Sequence, residues 1–292
     1  MFSDFSEYNE YMKQLEIDKS EHTIRSYRKS IVDFLEFCCV ASLDDLKKVD
    51  AKQIRDYQSS LLEKGIMASS VNTLMRPVSV FFHWLWRNEY IQDILMDKVQ
   101  QLKEPKREPV FLTEEEINSI INSCGDDLQT KTMLIFMLSL GLRRFEVTNI
   151  KLEDIKDKEY LLVHGKGDRE DVLPLNSRVK EILSQYMRKH RKESEYLFFR
   201  KRGGGKISEQ TVYDRLKSAC QKAGISIERI NKITPHVLRH STASNLLANG
   251  VDPVTVQSIL RHSSFNTTLR YLHVMDNGKK NAVETLVKGL GD

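Results

Sequence analysis

Cysteine is scarce in this chain, and the few present cannot build a scaffold. The four are Cys38, Cys39, Cys124 and Cys220. Adjacent cysteines rarely pair with each other and no C-x-x-C spacing occurs, so reduced thiols are expected rather than a disulfide framework or a zinc knuckle. No apolar run approaches the ~20 residues of a membrane span, and Met1-Phe2-Ser3-Asp4-Phe5 lacks the basic-then-apolar layout of a signal peptide. The expected location is the cytoplasm, without a membrane partner. Internal repeats and low-complexity tracts are missing, as are a Walker-type phosphate loop and an acidic cluster for divalent ions.

The 292 residues are 40% hydrophobic and 29% charged, an ordinary globular composition at a length that suits two domains. Net charge is only +4, but it is unevenly spread: residues 1–103 balance at −2 and the remainder at +6. Basic clusters stand at Arg188-Lys189-His190-Arg191-Lys192 and Arg200-Lys201-Arg202. A polyanionic partner and plain solvated faces both fit such a distribution.

Residues from about 4 to 96 read as helical. Phe5, Tyr8, Tyr11, Met12 and Leu15 share one helical face, and Ile24, Tyr27, Ile31, Phe34 and Leu35 share another. Leu43 and Val49 flank a connection, a third helix runs over Ile54–Leu62, and Lys64-Gly65 stops it. Ser69-Ser70 is expected to cap a fourth, kinked at Pro77 unless packing absorbs the kink. The expectation is a bundle of about four helices over 1–100, a linker over 101–110 containing Pro105 and Pro109, and a second domain over 111–292. There Thr113 caps a helix, residues 130–140 form a buried helix ending at Gly141, and Tyr160–His164 with Glu170–Leu175 read as a hairpin. The fold class is therefore mainly α, with a helical bundle followed by a mixed α+β domain holding a small sheet.

The chemistry gathers late in the chain. His236-Val237-Leu238-Arg239-His240 follows Thr234-Pro235, a helix start, so His236, Arg239 and His240 share its first turns. Leu260-Arg261-His262 follows, then Tyr271. A guanidinium fork grips non-bridging phosphate oxygens, imidazole manages protons near neutrality, and a phenol is an oxygen nucleophile. His236 and His240 also have the H-x3-H spacing of a zinc half-site, but position 237 is Val instead of the glutamate of a zinc protease and no third ligand is near in sequence. Upstream stand Gly141-Leu142-Arg143-Arg144-Phe145-Glu146 and His164-Gly165-Lys166-Gly167-Asp168-Arg169.

This set, in this order, resembles the tyrosine recombinases, or phage integrases, over essentially the whole chain. The length is similar to compact Xer-type recombinases or small transposon-borne resolvases. The resemblance implies a SAM-like core-binding domain, then a catalytic domain. It makes Arg143 and Arg239 the pair holding the scissile phosphate, chosen over Arg144. Lys166 becomes the general acid, with Lys156 and Lys158 as rivals. His236 and His262 bond the phosphate, and Tyr271 attacks to give a 3′-phosphotyrosyl link. Glu146 and His240 support these groups from behind. Arg200, Lys201, Arg202, Lys206 and Arg261 are expected to face DNA, the helical and catalytic domains closing on the duplex as a clamp. Two departures stand out: Arg261 replaces a commoner glycine, adding a phosphate contact or altering the turn, and Phe145 replaces a smaller residue. No cofactor or metal is implied. The implied partners are double-stranded DNA with paired inverted-repeat core sites and further protomers, or a related recombinase, forming a tetramer that passes through a Holliday junction. The tail bearing Ala282, Val283, Leu286 and Val287 docks on a neighbour or on its own domain. A type IB topoisomerase and an idle architectural DNA-binding factor remain as alternatives.

Overall fold

The computed structural model describes residues 5–104, 110–165, 170–190 and 194–261. The chain divides into two compact units, Met1–Arg107 and Glu108–Asp292.

In the first unit the amphipathic spacing becomes four long helices and one short one: α1 (Ser6–Asp18), α2 (Glu21–Phe37), α3 (Leu43–Leu46), α4 (Ala51–Glu63) and α5 (Ala68–Arg87). Ile31, Phe34, Ile54, Val71, Phe81, Phe82 and Leu85 fill their shared core. Phe34 meets Tyr57 and Phe82 edge-on at 5.4 and 6.0 Å, the favoured geometry for aromatic quadrupoles. Asp50 and Gln53 cap α4 reciprocally, and Gly65, at φ +78°, receives the chain at its other end. Two details depart from the sequence reading. The connection after Leu43 holds a helical turn capped by Ser42, whose hydroxyl accepts from the Asp45 amide. The fourth long helix begins before Ser69, with Met67 as its cap residue. Pro77 lies inside this helix and is buried.

The second unit opens with α6 (Glu114–Ser123), capped by Thr113 and Glu116, and α7 (Leu128–Leu140). Met133, Leu134, Phe136 and Met137 on α7 are buried around its circumference, as expected of a helix with no polar face. Next come α8 (Arg144–Asn149), strands β1 (Ile155–Lys156), β2 (Tyr160–His164) and β3 (Glu170–Pro174), and α9 (Ser177–Lys189). The strands form an antiparallel sheet in the order β1-β2-β3, with His164 opposite Glu170 and Leu161 opposite Leu173. β1 has only two residues, too few for a periodic signal. Leu175, expected within the second strand, lies just past it but still bonds back to the Glu159 carbonyl. The described part ends with α10 (Glu209–Lys222), α11 (Ile227–Lys232), α12 (Pro235–Ala248) and α13 (Pro253–Leu260). Among the described residues no helix is long and apolar enough to cross a membrane.

Candidate active site

The site is assembled where α7 ends. Gly141 closes that helix at φ +58°, a left-handed conformation that costs a residue with a Cβ about 1–2 kcal/mol. It is also crowded: a Cβ on Gly141 would lie 2.3 Å from Leu260 Cδ2. Glycine therefore meets two demands at once, a backbone turn and the close passage of α13. The chain then buries Leu142 and presents Arg143 at the start of α8.

α12 is fastened across this turn. Thr242 Oγ1 donates to the Leu138 carbonyl at 2.8 Å, and Arg239 Nη1 donates to the Gly141 carbonyl at 2.5 Å. Ser241 Oγ accepts from the Leu112 amide and donates to the Val237 carbonyl. Arg239 is 5% exposed, so its guanidinium is held by protein rather than left to sweep through solvent. Pro235 sits in the first turn of α12, which carries His236, Arg239 and His240 as the sequence spacing implied.

Arg143 is fixed as firmly. Its Nη1 donates to Glu146 Oε1 at 2.7 Å, its Nη2 to the Arg261 carbonyl at 2.9 Å, and its backbone amide to Glu146 Oε2 at 2.7 Å. The Glu146 side chain is 2% exposed. Burial pushes its pKa up, but the Arg261 charge and the donors of Arg143 and Arg261 outweigh this and hold it below the usual 4.5. Glu146 is ionised and acts on its neighbours by orienting them.

His236 keeps an exposed edge. Desolvation of its covered side and then the charges of Arg144, Arg239 and Arg143 lower its pKa from 6.5, partly offset by Glu209. Desolvation is the larger cause, because solvent at the exposed edge weakens the contributions of the three guanidiniums. His236 is thus neutral at pH 7, and it shares an electrostatic neighbourhood with Arg143 and Arg239, which arrive from far apart in sequence. Sequence reasoning weighed Arg144 only as a rival of Arg143 and missed Glu209; the two close this neighbourhood through a 2.7 Å bond from Arg144 Nε to Glu209 Oε2. Their separation leaves no local signal.

The other expected residues divide into three groups. Arg200, Lys201, Arg202 and Lys206 are exposed on one loop, closed by a bond from the Arg200 amide to the Gly205 carbonyl. Lys206 Nζ reaches Asn149 Oδ1 at 2.6 Å, tying the loop to the end of α8. His240 is half-buried on α12. Arg261, expected to face DNA or to alter the turn, has a side chain only 11% exposed, with its guanidinium bonded to Glu146 Oε2 and the Ile259 carbonyl, both at 2.8 Å. Lys166, His262, Tyr271 and the tail bearing Ala282, Val283, Leu286 and Val287 lie outside the described residues.

Two guanidiniums and a neutral imidazole on a preorganised frame suit a phosphodiester whose charge grows during reaction. Such a frame suits a class of enzymes that act on phosphodiesters. Comparison with known proteins agrees. Residues 110–277 match the phage integrase family and residues 8–89 match its N-terminal SAM-like domain. Tyrosine recombinase XerA of Pyrococcus furiosus is 32% identical over 281 residues, covering 94% of this chain and 92% of its own. Among solved structures, a lambda integrase dimer bound to a COC′ core site superposes with TM-score 0.76 at 20% identity, covering 91% of this chain and 94% of that one. A lambda integrase tetramer bound to a Holliday junction gives 0.75 at 20% identity, with 91% and 76% covered. The chain belongs to the phage integrase family and is a tyrosine-type site-specific recombinase.

Proposed function

We propose that Arg143 and Arg239 grip one scissile phosphate of double-stranded DNA while Tyr271 attacks it. The phenol oxygen forms a bond to phosphorus and the 5′ oxygen leaves, giving a 3′-phosphotyrosyl link. Lys166 donates the proton the departing oxygen needs, and His236 and His262 bond the phosphate and relay protons near Tyr271. A later attack by a 5′ hydroxyl reverses these steps, so strands are rejoined without ATP because the linkage conserves the phosphodiester's energy. The bidentate forks offset charge on the equatorial oxygens; losing one preorganised donor of this kind costs about 2.7–4 kcal/mol of barrier.

The first unit is the core-DNA-binding domain and the second, from about 111 onward, the catalytic domain. Arg200, Lys201, Arg202 and Lys206 contact DNA phosphates, which position without reading sequence. Four protomers, or this chain with a related recombinase, act on paired inverted-repeat core sites in the cytoplasm, and the tail after Tyr271 exchanges between protomers. The tetrameric form in which lambda integrase holds a Holliday junction supports this assembly by likeness of fold.

One observation carries the reading: a single left-handed turn at Gly141 sets Arg143 beside it and accepts a bond from Arg239, ninety-eight residues on. A nicked suicide substrate tests it. Wild-type protein is expected to trap a covalent adduct, unchanged by EDTA, and Tyr271→Phe none. Recombination is expected only between two matching sites; relaxation of plasmids lacking any such site would favour the topoisomerase reading.

A further inference from the structure

Arg261 occupies a place the chemistry above does not use. Its φ is +53°, which glycine adopts freely and arginine does not. Something must compensate the strain, and the side chain shows what. Nη2 bonds Glu146 Oε2 and Nη1 bonds the Ile259 carbonyl, while Nε is buried with no hydrogen-bond partner among the described residues. Its carbonyl in turn accepts from Arg143 Nη2. Arg143, Glu146 and Arg261 thus form a closed ring of bonds, with one carboxylate between two guanidiniums.

Charge makes the ring more than a brace. Glu146 is 2% exposed and ionised, so solvent cannot screen it. With Arg143 as its sole cation, it would cancel the positive charge that a phosphate must feel. Arg261 supplies a second cation, leaving the Arg143 charge available. A direct phosphate contact by Arg261 would instead strip a buried carboxylate of that partner, which is expensive.

We propose that Arg261 is a positioning residue for strand cleavage: it neutralises Glu146 and, through its carbonyl, fixes Arg143 for the scissile phosphate. The proposal rests on the reading of Arg143 as a phosphate ligand.

The test uses full-length protein and the nicked substrate, with single-turnover cleavage measured at saturating DNA and affinity measured against salt. Arg261→Gly removes the cation while relieving the backbone strain. Its cleavage is expected to fall about 10–100-fold, a change in barrier spread over one or two decades. The slope of log affinity against log salt should stay as in wild type, because every phosphate keeps its cation; freeing one phosphate would reduce the slope by about 0.9. The Arg261→Gly/Glu146→Gln double variant should cleave at least about 3-fold faster than Arg261→Gly, since neutralising the carboxylate frees Arg143 again, a recovery that weakened bracing does not predict. If Arg261→Gly does not fold, Arg261→Lys carries the test: it keeps the cation and should cleave within about 10-fold of wild type. A reduced salt slope, wild-type cleavage by Arg261→Gly, a double variant no faster than the single, or a larger loss in Arg261→Lys would overturn the proposal. Wild-type adduct formation, abolished in Tyr271→Phe, keeps these outcomes separate from failure of the cleavage reading itself; no wild-type adduct at all removes both.

Discussion

Replacing Gly141 by alanine tests the frame on which the site hangs. The left-handed backbone, at φ +58°, costs the new side chain about 1–2 kcal/mol. Its Cβ would also stand 2.3 Å from Leu260 Cδ2. The end of a leucine is normally easy to move, but Leu260 is fully buried, among Ala243, Leu247 and Val256. Overpacking of this kind costs about 1–3 kcal/mol, so the total is about 2–5 kcal/mol. For a unit of this size a loss of about 3 kcal/mol lowers Tm by about 6–12 °C. Activity should fall further than stability does, because the Gly141 carbonyl accepts from Arg239 and Arg143 lies two residues on. A displacement of about 1 Å at a positioned group costs on the order of 100-fold in rate. Calorimetry gives the first quantity, and single-turnover cleavage well below Tm gives the second. Truncating Leu260 to alanine removes the clash but not the backbone strain, so the Gly141→Ala/Leu260→Ala pair should be less destabilised than the sum of its parts, by about 0.5–3 kcal/mol. Wild-type melting and wild-type cleavage in Gly141→Ala, or strict additivity in the pair, would refute this reasoning.

Arg239→Lys keeps the charge but loses the fork, and its cleavage at saturating DNA is expected to drop at least about 10-fold, with Arg239→Ala lower by about 100–1,000-fold. For His236 the folded pKa lies below the ordinary 6.5, so between those two values the unfolded chain binds more protons. Stability contributed by His236 is therefore complete above 6.5 and lost as pH falls through 6.5 toward the lower folded value; urea midpoints should show this in wild type and not in His236→Gln. Replacing Arg200, Lys201 and Arg202 with glutamine should flatten the salt dependence of DNA affinity by about 0.9 for each phosphate no longer neutralised, while cleavage at saturating DNA stays within about 3-fold of wild type.

How far the sequence could be read depended on the range of the interaction. The helices of the first unit were legible because their burial repeats with helical period: Tyr8, Tyr11, Met12 and Leu15 are the buried residues of α1, as their spacing implied. The start of α5 was misjudged because serine pairs suggest a cap, yet Met67 takes the extended conformation there and packing of Val71, Met75 and Val78 sets the helix. β1 was missed because a two-residue strand has no pattern; its register comes from β2. In the site, Pro235 is a local signal that marks the start of α12, the helix carrying His236, Arg239 and His240, whereas Arg143 was chosen through the family resemblance. Arg144 and Arg261 were less legible because their partners are remote. Arg261 was read as a phosphate contact or an altered turn, and its bond to Glu146, 115 residues earlier, had no local signal.

The most direct measurement is the identity of the residue carrying DNA after cleavage. Wild-type protein is trapped on a nicked substrate, digested, and the nucleotide-bearing peptide sequenced by mass spectrometry. The nucleotide should be found on the phenol oxygen of Tyr271, through a 3′ phosphate. Attachment to any other side chain, or a 5′ linkage, would contradict the mechanism proposed for this chain.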